Sequence, residues 1–161
     1  MSLTRLKEFL DSNRVKYVTI SHSLAYTAQG IAALTHTPGK ELAKTVIVKA
    51  DGKLAMAVVP ASAHVGLTQL KTATGVKNIE LASENDFRDR FPDCETGAMP
   101  PFGNLYGMEV YADESLTHDP EIAFNAGSHR ELMRLSWSDF QRLANPKVMR
   151  LAVGRAAESA A

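Results

Sequence analysis

A chain of 161 residues, 45% hydrophobic and 22% charged, is long enough for one domain with a full core and too apolar to be disordered. Its formal net charge of zero predicts no whole-protein attraction to nucleic acid, DNA included, or to an anionic membrane, which leaves a local basic patch open. A single cysteine, Cys94, excludes an internal disulfide framework and suits a reducing cytoplasm, and no apolar run approaches the roughly 20 residues that span a bilayer.

The first residues, MSLTRLKEFL, are charged and amphipathic, without a signal-peptide core. Leu3, Leu6, Phe9 and Leu10 recur at helical spacing behind Ser2, which predicts a capped helix over residues 3–12. VKYVTI reads as a short strand. TAQGIAALTHT reads as a second helix, capped by Thr27 and closed by Pro38 and Gly39. In KTVIVKADGKLAMAVVP two β-rich runs flank Asp51-Gly52, a dipeptide suited to a two-residue type I′ hairpin. VGLTQLKTATG predicts a helix ending near Gly75, and KNIEL a short strand. Ser83 and Asp86 open SENDFRDRF, a short helix with Phe87 and Phe91 on one side. GMEVYAD and EIAFNAG read as strands, and HRELMRLS as another, joined to the second by a turn at Gly127. Ser136 caps a last helix, WSDFQRLA, which stops at Asn145-Pro146. Residues 1–153 are thus expected to form one domain and 154–161 a fraying tail. The strands cluster into hairpins rather than a βαβ series, which favours an α/β domain with a mixed, mostly antiparallel sheet and helices packed around it.

The histidines, at 22, 36, 64, 118 and 129, show no zinc-binding spacing, so no metal site is expected. Cys94 reads as a small buried side chain rather than an activated nucleophile. No serine elbow or nucleotide-binding glycine motif is present, and Ser128 and His129 are neighbours on a strand, pointing to opposite faces. Lys44, which opens the strand KTVIVK, is either a solvated surface lysine or a phosphate clamp. His22 and Tyr26 in SHSLAYT either line a cleft or satisfy local backbone groups. The oddest stretch is GAMPPFGNLYG, residues 97–107. Proline fixes φ and lacks a donor, whereas glycine reaches backbone angles closed to other residues, so this loop is rigid and exposes main-chain groups. It is a stiff connector or a cradle.

ELAKTVIVK, GAMPPFG and FNAGSH, in that order, resemble the YbaK/EbsC family, which includes the editing domain of prolyl-tRNA synthetase and free-standing aminoacyl-tRNA deacylases. The resemblance runs from SHSLAYTAQG to WSDFQRLA and implies a compact mixed sheet, partly barrel-like, with surrounding helices. It implies a free-standing trans-editing deacylase, metal-independent and without a cofactor, that hydrolyses a mischarged amino acid from the 3′ end of tRNA. The implied partners are the aminoacyl-tRNA acceptor end and either an aminoacyl-tRNA synthetase or an elongation factor. Lys44 matches the family lysine that contacts the terminal adenosine. Gly97 through Pro101, continuing into Phe102 and Gly103, match the family's GxxxP loop. Asn125, Ala126 and Gly127 match its late turn, and His129 matches a histidine that shapes the amino-acid pocket in some members. Backbone N–H groups of Gly97, Ala98 or Met99 would then face the oxyanion of ester hydrolysis, where losing one such donor costs ~3 kcal/mol. His22, Tyr26, Met99 and His129 are the candidates for choosing among Ala, Ser, Thr and Cys esters. A basic patch from Lys40, Lys44, Lys49, Arg130 and Arg134 would favour tRNA. A non-catalytic binding module and a hydrolase of another small acyl ester are the competing readings.

Overall fold

The computed structural model describes residues 2–22 and 42–154. The expected second helix, with Tyr26 and Lys40, and the tail beyond Gly154 lie outside the described residues. Helix α1 (Ser2–Ser12) buries Leu6 and Leu10, as the helical spacing requires, and sets Phe9 edge-on to Phe102 at 6.0 Å between ring centroids. Ser2 is the first helical residue rather than a cap outside the helix. Strand β1 (Tyr17–Ser21) follows.

Strands β2 (Ala43–Ala50) and β3 (Lys53–Pro60) form the predicted hairpin, in antiparallel register from Ala43↔Pro60 to Ala50↔Lys53. Both turn residues take positive φ, 50° at Asp51 and 83° at Gly52, the signature of the type I′ turn. The Asp51 carboxylate accepts the backbone N–H groups of Lys77 and Asn78 at 3.1 and 2.9 Å, which ties the hairpin tip to the chain leading into β5. Beyond β4 (His64–Val65), α2 (Leu67–Thr74) ends at Gly75, and β5 (Ile79–Leu81) leads into α3 (Glu84–Phe87). Ser83 and Asp86 make a reciprocal capping box, and the helix tightens into a 3-10 turn at Arg88–Arg90, with Phe87 and Phe91 in edge contact.

Strands β6 (Glu109–Asp113), β7 (Glu121–Asn125) and β8 (Glu131–Ser136) lie where the sequence places them, and α4 (Trp137–Ala144) carries the Ser136 cap. Three short strands were not anticipated: β4, of two residues, β9 (Lys147–Met149) and β10 (Ala152–Val153). They are too short to show a period of two, and their pairing is imposed by tertiary contacts. The larger sheet has the order β5-β2-β3-β6-β9, the smaller β1-β8-β7, and β10 pairs with β4. Among the strand pairs of the described residues only β3–β6 and β6–β9 are parallel, so the sheets are mixed and mostly antiparallel. They are not closed into a barrel, which corrects that part of the expectation. The edge strands β5 and β9 have three residues each and do not pair with each other, and the two larger sheets touch through an isolated parallel bridge, Leu42↔Ala123. No helix among the described residues is long and apolar enough to cross a membrane.

Phe102 sits at the centre of the main core, fully buried, with edge contacts to Phe124 at 5.7 Å and Phe140 at 5.3 Å. At the far end of β6, Asp113 is only 5% exposed, yet its carboxylate accepts N–H bonds from Ser115, Leu151 and Ala152 at 3.0, 3.0 and 2.9 Å, and a bond from the Ser115 hydroxyl. Burial alone would raise its pKa, but these donors together hold it below the usual carboxylate value. A depressed folded-state pKa contributes stability that is present above the unfolded value of about 3.9 and is lost as pH falls through the folded value. Asp113→Ala is therefore expected to lose about 3 kcal/mol in urea unfolding at neutral pH and to show a flatter acid limb of stability than the parent. Equal stability and equal acid slopes would show that the carboxylate does not tie the β9–β10 connection to β6.

Candidate functional site

The bridge between Leu42 and Ala123 sets the geometry of the site. Strand β3 occupies one edge of β2; on the other, β5 pairs with Val48–Ala50, and Ala82 N–H donates to Ile47 O at 3.0 Å. At the opposite end of that same edge β7 pairs once with Leu42, the residue before β2, and then diverges. Residues 43–46 of β2 therefore face a gap, and the glycine–proline loop fills its far side. A cavity of about 230 Å³ remains between them, lined by Thr45–Ile47 of β2, Leu81 and Ala82 at the end of β5, Phe87 of α3, and Thr96, Gly97 and Met99 of the loop. None of these side chains is charged, so the cavity suits a small apolar or hydroxylated group.

Main-chain bonds to the β7–β8 turn hold the loop. Glu95 N–H donates to Gly127 O and Gly127 N–H to Ala98 O, both at 2.8 Å. The Glu95 carboxylate accepts His129 N–H at 2.7 Å. His129 is 6% exposed, and its Nε2 lies 2.8 Å from Thr96 O; a carbonyl only accepts, so Nε2 carries the proton. Gly97 has φ +87°, a left-handed conformation that favours glycine, and a Cβ there would stand 3.5 Å from His129 Cε1. The histidine ring thus lies against the back of the loop and is not among the side chains lining the cavity.

The three amides expected to face an oxyanion differ. Ala98 N–H donates to Glu95 O at 3.0 Å, closing a turn, which removes it from the free donors. Gly97 N–H points to the Met99 sulfur at 3.3 Å, a weak acceptor that a better one can displace. Met99 N–H has no acceptor among the described residues. Pro101, Phe102 and Gly103, expected to contact a ligand, are buried; Gly103 O accepts Tyr106 N–H and Met108 N–H, so this part of the motif anchors the loop in the core. Phe102 in particular is enclosed by aromatic rings and closed to a ligand.

Lys44 adjoins the gap but points away from the cavity. Side chains alternate along a strand, so Lys44 lies opposite Thr45 on the face of Leu42, and the bridge carries that face across to Ala123 and Asn125. Lys44 and Asn125 each stand two residues beyond the bridge on this shared face. Lys44 is half-buried with no ion pair or hydrogen bond among the described residues, and burial lowers its pKa. The Asn125 Oδ1 atom is buried without a hydrogen-bond partner, an arrangement that native proteins rarely leave unexplained. His22, half-buried, lies on the same face of the smaller sheet, where its N–H donates to Arg130 O at 2.9 Å. Of the expected basic patch, Lys49 is taken by Asp86 at 3.1 Å.

Cys94 lies 3.4 Å from the Tyr106 hydroxyl, and burial pushes its thiol up to about 11, so it is no thiolate at neutral pH. Among the described residues no cluster of three or more His, Cys, Asp or Glu side chains could hold a metal ion. Sequence reasoning missed Thr45, Leu81, Phe87, Thr96 and the Glu95 clamp. Leu81, a large apolar side chain left 45% exposed beside a cavity, carried a signal only once the fold was known.

The profile of the aminoacyl-tRNA editing domain family matches residues 22–143. The multifunctional Ser/Thr-tRNA deacylase ProXp-y of Escherichia coli K12 is 27% identical over 150 residues, 90% of this chain and 89% of that protein. A proline–tRNA ligase of Macrococcus caseolyticus is 27% identical over 100 residues, which span 62% of this chain and 17% of the ligase. Among solved structures, one described as a candidate trans-editing enzyme for prolyl tRNA synthetase superposes with a TM-score of 0.81 at 21% identity, over 95% of this chain and 98% of its own.

The loop clamp makes a direct prediction. Glu95→Ala removes the acceptor of His129 N–H and is expected to cost about 1–2 kcal/mol in urea unfolding and to speed amide hydrogen exchange at Gly127 and His129. Glu95→Gln keeps an oxygen acceptor and should retain most of the protection. Unchanged exchange in the alanine variant would show that the loop is held some other way.

Proposed function

The chain belongs to the aminoacyl-tRNA editing domain family, and from that premise we propose that it is a trans-editing deacylase, which hydrolyses the ester between a mischarged amino acid and the 3′-terminal ribose of tRNA. The observation that carries this reading is the Met99 N–H, without an acceptor among the described residues at a small uncharged cavity, with a half-buried lysine on the adjoining face that has no ion pair among the described residues.

The amino-acid side chain enters the cavity between β2 and the loop. Its volume, about 230 Å³, suits Ala, Ser, Thr or Cys, and Thr45 and Thr96 offer hydroxyls to a hydroxylated one. The carbonyl oxygen points to Met99 N–H, joined by Gly97 N–H when that group leaves the Met99 sulfur. On the face that Lys44 and Asn125 share, the Lys44 ammonium binds the phosphate of the terminal adenosine and Asn125 Oδ1 accepts a hydrogen bond from that nucleoside. No titratable side chain lines the cavity, so the vicinal ribose hydroxyl orients the attacking water. Water adds to the carbonyl carbon, the ester C–O bond breaks, and the 3′ oxygen leaves with the water's proton. His129 and Gly97 together hold the loop shape on which this depends. The partner implied is the synthetase that supplies the mischarged tRNA, the compartment the cytoplasm, and the chemistry metal-independent.

The test is release of labelled amino acid from a panel of Ala-, Ser-, Thr- and Cys-tRNA with EDTA present, with Lys44→Ala and Asn125→Ala alongside. Wild-type turnover is expected on at least one ester, with kcat/KM reduced about 100-fold or more in Lys44→Ala and about tenfold in Asn125→Ala. Because burial lowers the Lys44 pKa, its charge is lost at a lower pH than for an exposed lysine. Activity is thus expected to fall on the alkaline side below the ordinary lysine value of about 10.4, a limb absent from Lys44→Ala. Tight tRNA binding without release would make the chain a binding module, and turnover of simple esters with indifference to tRNA would make it a different hydrolase.

A further inference from the structure

A second groove lies on the smaller sheet, away from the cavity. It has a volume of about 450 Å³ and runs between the α1–β1 turn and the β7–β8 ladder. Three cations line it: Arg14 and Lys16, both exposed, and half-buried Arg134. None has an ion pair among the described residues. Two carboxylates also line the groove, but Asp139 is held by Arg142 at 3.1 Å, so Glu121 alone offsets the three positive charges. Val18 is 53% exposed on the face of Arg134, whereas the neighbouring Tyr17 ring turns to the opposite face against the main core, its hydroxyl tied back to Asp11 at 3.0 Å. A groove lined by cations without ion-pair partners is an arrangement that binds a nucleic-acid strand, with phosphates tracking the charges.

The register connects this groove to the site. Arg134 pairs with Val18 on one side and Ala123 on the other, and directly opposed residues share a face. The groove therefore opens on the face that carries Asn125, one strand step of two residues, ~7 Å, from the Arg134 row. Zero net charge hides this concentration, because acidic side chains elsewhere balance it.

We propose that the groove of Arg14, Lys16 and Arg134 binds the single-stranded 3′ segment of tRNA that precedes the terminal adenosine. The proposal rests on the deacylase reading for the identity of the RNA. The groove supplies affinity and direction and takes no part in bond breaking.

The experiment compares wild type with the triple variant Arg14→Ala, Lys16→Ala, Arg134→Ala on three probes: uncharged tRNA, Ser-tRNA, and the seryl ester of adenosine, which lacks the preceding phosphates. With uncharged tRNA, the slope of log affinity against log salt is expected to become shallower by about 2, at ~0.7 per lost single-strand phosphate contact. With Ser-tRNA, KM is expected to rise about tenfold or more at unchanged kcat, while hydrolysis of the adenosine ester stays the same. An unchanged salt slope and KM would overturn the groove, as would an equal loss on the adenosine ester. If wild type hydrolyses none of the Ala, Ser, Thr and Cys esters, the deacylase reading falls, and the salt slopes on uncharged tRNA still decide the groove. Equal thermal midpoints of the two proteins exclude misfolding as the cause, and the single variant Arg134→Glu repeats the test if the triple variant is unstable.

Discussion

The constraint on which the rest depends is that β7 pairs once with Leu42, the residue before β2, and then parts from that strand. Two strands that separate leave unpaired N–H and C=O groups along their edges, an arrangement that is costly when buried and adhesive when exposed. The chain answers with a loop rich in glycine and proline, tied by main-chain bonds to the turn after β7 and standing across a cavity from β2. An ordinary strand inserted there would have zipped the gap shut. A loop whose prolines donate nothing, and whose Ala98 N–H is spent on its own turn, keeps the edge open. The proposed site is thus a sheet defect held open by a rigid insert, and the groups proposed to act there are largely main chain.

Rigidity of the insert comes from both ends. Phe102 plunges into a cage of Phe9, Phe124 and Phe140, so three elements of the core fix one loop residue. Aromatic contacts of this kind add to area burial and specify orientation. At the other end the Glu95 carboxylate and the His129 ring close on the β7–β8 turn. The motif that looked in the sequence like one continuous ligand contact divides in the fold. Its first half lines the cavity and its second half is ballast.

That division marks what the sequence made legible and what it did not. Local chemistry was readable: Asp51-Gly52 dictates its hairpin, Ser83 and Asp86 dictate their capping box, and Ser136 its helix start. The glycine–proline loop was recognisable as rigid for the same reason, since φ restrictions act within one or two residues. The direction of its amides was not readable, because the Ala98 N–H is claimed by a carbonyl three residues back and Ala98 O by a glycine 29 residues on. The face on which Lys44 lies depended on where β2 meets β7, a contact between residues 81 positions apart. Strands β9 and β10 escaped because three- and two-residue segments have no period; a buried carboxylate on β6 holds the turn between them. Asn125 was found through likeness to a family, but the reason to attend to it, a buried oxygen with nothing to accept, is visible only in three dimensions.

The distribution of polar groups sets how such a site must work. A cavity wall without charge offers little electrostatic stabilisation, and with Ala98 turned inward the loop presents one ready amide and one loosely held by sulfur. Removing a single such donor typically changes a barrier by ~3 kcal/mol, so a two-donor cradle supplies only part of the acceleration that enzymes reach. The remainder has to come from holding the ester where those donors can act, and positioning of this kind draws on binding energy far from the reacting carbon. The charges that could supply it, Lys44 and the cations of the smaller sheet, lie outside the cavity and on the adjoining face. A small neutral pocket beside an asymmetrically charged surface is the arrangement expected of a protein that grips a large polyanion in order to place one small group.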